Sequence, residues 1–128
     1  METKTDILII EDDQFMRDLI ALSLRDAGYR VVECSGQRMQ HLHDVVLPKV
    51  VIVDLIEPKR SSLETIGTLR LRFPAALILA ISGYFGVGPV MADAAIRQLG
   101  VDQALAKPFS CNELVSSVKM LLDRLPDD

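Results

Sequence analysis

The chain has 128 residues, of which 49% are hydrophobic and 25% charged, and a formal net charge of −4. This length supports one sizeable core and not two, the apolar share excludes a disordered chain, and the acidic balance excludes a basic footprint for direct nucleic-acid binding. No apolar run approaches the roughly 20 residues of a membrane span, the start METKTD carries no apolar leader, and Cys34 and Cys111 are too few for a disulfide scaffold, so the expectation is a cytoplasmic protein with free thiols and no membrane partner.

Taken in order, the first element is the apolar run Ile7–Ile10, which ends in Glu11-Asp12-Asp13. Phe15, Met16, Leu19, Ile20 and Leu22 then recur at helical spacing, with Gly28 as a stop after Ala27. Val31-Val32 is the second short run, and a weaker helical pattern covers about Gln37 to Val46 before Pro48. Val50–Val53 ends in Asp54, and a helical pattern from Ser62 to Phe73 stops at Pro74. Leu77–Ile81 ends in Ser82-Gly83, and a loop with three glycines, Gly83 to Pro89, leads to a helical pattern from Val90 to Leu99. Ala104-Leu105-Ala106 reads as a strand by position and ends in Lys107-Pro108-Phe109. Leu114, Val115, Val118, Leu121, Leu122 and Leu125 form the stripe of a last helix, with Ser110 as its N-cap.

Short runs that are apolar throughout suit strands covered on both faces. Alternation with helices implies parallel strands and right-handed crossovers. Five strands are too few for a TIM barrel. The fold class is therefore α/β: a doubly wound (βα)5, flavodoxin-like three-layer sandwich with a parallel sheet of order 2-1-3-4-5. We read residues 1–128 as one domain, with a core over about 5–124 and no output domain. In such a sheet the site lies at the carboxyl edge, at the switch point between strands 1 and 3. Four strand ends bring three acids, a hydroxyl and a lysine toward that edge. Crowded carboxylates repel, which raises a pKa unless a cation is present. Oxygen ligands with room for water suit Mg²⁺. A phosphoryl oxygen as a further ligand would make this a phosphoryl-transfer site, with a carboxylate as in-line nucleophile.

The segments "ILIIEDD", "VIVDL" followed by Pro58, "ILAISGY" and "LAKPF" resemble, in order and spacing, the receiver domains of bacterial two-component response regulators (the CheY-like superfamily). The resemblance covers the whole chain and implies a stand-alone receiver. It implies that Glu11 and Asp12 are the acidic pair, because Arg17 then falls at the family's offset. Asp12 would bind Mg²⁺ directly and Glu11 through water. Asp54 would be both phosphoacceptor and metal ligand, and the Ile56 carbonyl a further ligand. Ser82 and Lys107 would contact the phosphoryl group. The Lys107-Pro108 bond is cis in many relatives. The implied partners are a sensor histidine kinase or phosphotransfer protein and a downstream protein target. The target would be read at the face built from the helix over 90–99, the fifth strand and the last helix. The expected assembly is a monomer or weak dimer.

The chain departs from the family pattern at several positions. Ala104 stands where relatives often carry a switch aromatic, and Tyr84 reads as a surface tyrosine. Ile56 is apolar where many relatives are polar, which implies slow autodephosphorylation. Ser62 replaces a common glycine and so relaxes the need for a positive φ. Two rival functions remain open. One is an interaction module that works without phosphorylation, although the full Glu11, Asp12, Asp54, Ser82 and Lys107 set disfavours it. The other is an aspartyl-phosphate phosphatase or phosphotransferase acting on a small molecule. That chemistry uses a second acid two residues after the nucleophile, where this chain has Ile56. The expectation is a chain that is not an enzyme and acts only on its own phosphoryl group.

Overall fold

The computed structural model describes residues 5–42, 47–55, 59–86 and 88–126. Strands β1 (Ile7–Ile10), β2 (Val31–Cys34), β3 (Val50–Asp54), β4 (Leu77–Ser82) and β5 (Gln103–Ala106) form one parallel sheet of order β2-β1-β3-β4-β5. The three central strands need apolar cover on both sides, and they have it: Ile7 to Ile10, Val50 to Val53 and Ile78 to Ile81 are all buried.

Strand alternation splits these side chains between two cores. Leu8, Ile10, Val51, Val53, Ile78 and Ala80 pack with Ile66 and Leu69 of α2 (Lys59–Arg72), with Phe73 just after it, and with Leu99 of α3 (Pro89–Leu99). Ile7, Ile9, Val50, Ile52, Leu79, Ile81 and Leu105 pack on the other face. Their cover comes from Ile20, Ala21 and Leu24 of α1 (Gln14–Asp26) and from Leu114, Val118 and Leu121 of α4 (Cys111–Asp123). The α4 trio sits at i, i+4 and i+7, the spacing of one helix face, and each member contributes about 1.5–3 kcal/mol on full burial.

The helix ends follow from short polar side chains. Asp13 caps α1 by accepting the Met16 N–H at 3.0 Å. Ser110 and Glu113 form a reciprocal capping box on α4. The expected second helix is not an α-helix. A 3-10 turn, Gly36–His41, occupies its start, capped by Ser35, and residues 43–46 lie outside the described residues. Its weak apolar pattern provides little burial to sustain longer helix, and 3-10 geometry is tolerated in short pieces. Ser62 is buried in α2, and among the described residues only glycines adopt a positive φ. No helix among the described residues is long and apolar enough to cross a membrane.

Candidate functional site

Alternation also decides which strand-end groups meet. Glu11 continues the Ile7-Ile9 side of β1, Asp54 the Val50-Ile52 side of β3, and Lys107 the Leu105 side of β5, all toward the α1/α4 face. Lys107 Nζ donates to Asp54 Oδ2 at 2.7 Å and lies 3.5 Å from Glu11 Oε1. Both acids are nearly sealed from solvent, with side-chain exposures of 4% for Glu11 and 6% for Asp54, against 25% for the lysine.

The electrostatics follow from this crowding. Burial, then the hydrogen bond and charge of Asp54, push the Glu11 carboxyl up to about 7, against opposition from Lys107 and the Asp13 backbone. Burial pulls the Lys107 ammonium down, but its hydrogen bond and ion pair with Asp54, together with Glu11, outweigh this and hold it above its usual value. Asp54 Oδ1 is buried and lacks a hydrogen-bond partner among the described residues. An orphaned buried carboxylate oxygen is costly. A proton on Glu11 or a bound cation would satisfy it.

Asp12 belongs to the opposite side of β1 and is exposed. Its Oδ1 accepts the Gly36 N–H at 2.7 Å. A Cβ at Gly36 would lie 3.3 Å from that oxygen, so the absent side chain permits the close approach. Asp12 and Asp54 face a common cavity of about 150 Å³, which Gly36, Leu55 and Thr65 also line. Arg17 Nη1 donates to the Glu11 carbonyl at 2.7 Å and ties the acidic turn to α1. Asp13 is engaged in the α1 cap.

Ser82 stands apart. It follows Ile78 and Ala80 on the α2/α3 face and is 1% exposed. Its Oγ accepts the Tyr84 N–H at 3.0 Å. Tyr84 is 80% exposed, as expected of a surface tyrosine. The Lys107-Pro108 peptide is cis. Ile56, whose carbonyl was expected as a ligand, lies outside the described residues, as do Glu57 and Pro58. Among the described residues no three His, Cys, Asp or Glu side chains are drawn together tightly enough to cage an ion. Gly36 and Thr65 were missed by the sequence reading. The only signal for Gly36 was a glycine placed just after the second strand. Cys34 is a packed thiol, pushed up to about 11 mainly by burial.

Residues 7–119 match the model of the response regulator receiver domain, and the chain belongs to that family. It is 30% identical over 97% of its length to a probable transcriptional regulator, ycf27, of Guillardia theta, covering 48% of that protein. It is 28% identical over 97% of its length to the sensory transduction protein RegX3 of Mycobacterium tuberculosis, covering 53% of it. The chain thus spans about half the length of the curated relatives it matches. A response regulator from Thermotoga maritima shares the fold at 18% identity and a TM-score of 0.77, over 94% of this chain and 99% of that one.

Proposed function

We propose that this receiver is a phosphoacceptor, taking a phosphoryl group on Asp54 from a histidine kinase or phosphotransfer protein. The observation that carries the reading is Asp54 itself, a buried carboxylate with one oxygen on Lys107 and the other without a partner among the described residues. An Asp54 oxygen attacks phosphorus, forming the O–P bond. The donor's P–N bond breaks, and the imidazole leaves with the electron pair. The Lys107 ammonium, already at the carboxylate, stays with the phosphoryl oxygens as a point charge. The Ser82 hydroxyl turns to a second phosphoryl oxygen.

The donor set fits Mg²⁺: hard oxygens, one of them orphaned, around a cavity large enough for water. Asp12, Asp54 and the Ile56 carbonyl would hold it, with Glu11 acting through water. When bound, the ion neutralises charge on the transferring phosphoryl group. The acyl phosphate adds charge beside Lys107, which biases the α3–β5–α4 face between two states read by a downstream protein. The chain acts on no separate substrate.

The test is incubation with Mg²⁺ and acetyl phosphate, followed by intact-mass measurement. One phosphoryl mass is expected on the wild type and none on Asp54→Ala. A mass gain that survives in Asp54→Ala, or no gain in the wild type, defeats the reading, and the latter leaves an interaction module that works without phosphorylation. The apolar Ile56 implies a long-lived phosphoryl group, and Ile56→Asn should shorten its half-life. A wild-type half-life of seconds, unchanged in that variant, would remove this expectation.

A further inference from the structure

Two cavities flank the turn after β4, and one residue lines both. Phe85 lines a space of about 140 Å³ together with Leu55, Ser82 and Leu99. It also lines a space of about 250 Å³ with Ala92, Ala104, Leu105 and Pro108. The ring is only partly buried, against the α2/α3 core. The larger space is a groove open to solvent, with more volume than the roughly 150 Å³ in which an apolar cavity holds benzene. Ala104, buried on β5, is part of its wall and ends at Cβ. A ring entering it would exchange water for contact with these walls.

The turn is held at two points. Ser82 Oγ holds the Tyr84 N–H at its start. Met91 lies across Gly86 at its far side, where a Cβ would come within 2.6 Å of Met91 Cε. Phe85 sits between these holds. The first hold is the hydroxyl that the phosphoacceptor reading requires to move. A serine hydroxyl turns between staggered wells about χ1, and on leaving this well it releases the Tyr84 N–H. Gly83, next in the chain, offers no resistance, because a Cβ there would meet nothing within 4 Å.

We propose that Phe85 is the moving ring of this switch: as Ser82 turns to the phosphoryl group, the ring swings from its place beside Ser82 into the cavity beside Ala104. The α3–β5–α4 face then presents a filled surface in place of a groove. This rests on the phosphoacceptor reading and adds to it the internal route from Asp54 to the partner face.

The experiment is fluorine NMR on the full chain labelled with 4-fluorophenylalanine, with Phe85→Leu assigning the Phe85 signal. Beryllofluoride and Mg²⁺ are added, and protein-bound beryllofluoride is followed by its own fluorine signal. Binding accompanied by a shift of the Phe85 resonance is the expected result. Ala104→Leu, which occupies the destination, should still bind beryllofluoride and lose the Phe85 shift. Binding with Phe85 unmoved overturns the ring's role and leaves the phosphoacceptor reading standing. An equal shift in Ala104→Leu also overturns it. No beryllofluoride binding overturns the phosphoacceptor reading, and the ring's role falls with it.

Discussion

The two faces of the sheet end differently at the carboxyl edge. On the α1/α4 side the alternation delivers Glu11, Asp54 and Lys107 into direct contact, and each is fixed by another member of the trio. On the α2/α3 side it delivers Ser82, whose hydroxyl is tied to a turn and which lines a cavity that its neighbours do not fill. The first face is set by charge and has little freedom, because separating an ammonium from two buried carboxylates is costly. On the second, the Ser82 side chain is tied by one neutral hydrogen bond, worth about 1 kcal/mol, and this is the cheaper side to rearrange. A receiver needs both, a rigid corner for the chemistry and a loose one for the response.

The largest effect should come from the rigid corner. Lys107→Met removes the only cation paired with the Asp54 and Glu11 carboxylates among the described residues, and should cost about 3 kcal/mol in urea unfolding at pH 8. A cost below about 1 kcal/mol would mean the corner is no stiffer than the turn.

The next effect is a pH dependence of the metal-free protein. Folded Glu11 keeps its proton to about pH 7, whereas its ordinary value is 4.5. The folded state therefore binds more protons within that window, and stability falls as pH rises through it, by on the order of 1 kcal/mol per pH unit. Glu11→Gln should remove this slope in urea titrations between pH 5 and 7. The raised value of Lys107 acts at the other extreme. Its contribution is complete below its ordinary 10.5 and is lost at higher pH.

The smallest effect should come from the loose corner. Ser82→Ala deletes the acceptor for the Tyr84 N–H and should cost about 1 kcal/mol, measured in the same denaturation series. A loss as large as that of Lys107→Met would erase the contrast between the faces. At similar magnitude, Ser110→Ala removes the α4 cap far from either corner and should cost about 1 kcal/mol, which calibrates the series.

The sequence alone determined the strand runs, their parallel order and the four chemistry-bearing strand ends. An all-apolar run admits few placements other than a covered central strand, and an odd or even position already chooses a face. Position at a strand end grouped Glu11, Asp12, Asp54, Ser82 and Lys107 before any contact was known, and the alternation seen in the fold then divides that set between the two faces. What only the tertiary structure decided is contact between elements distant in the chain. Asp12 turns to Gly36 because the 3-10 turn brings that N–H within reach, and no local pattern encodes this. Glu11 holds its proton because the burial of its neighbours removes water from it. Phe85, three residues from Ser82 in sequence, lines two cavities, one of them walled by Ala104 on another strand. Volume left unfilled belongs to the packing of several elements at once, and no single stretch of sequence states it.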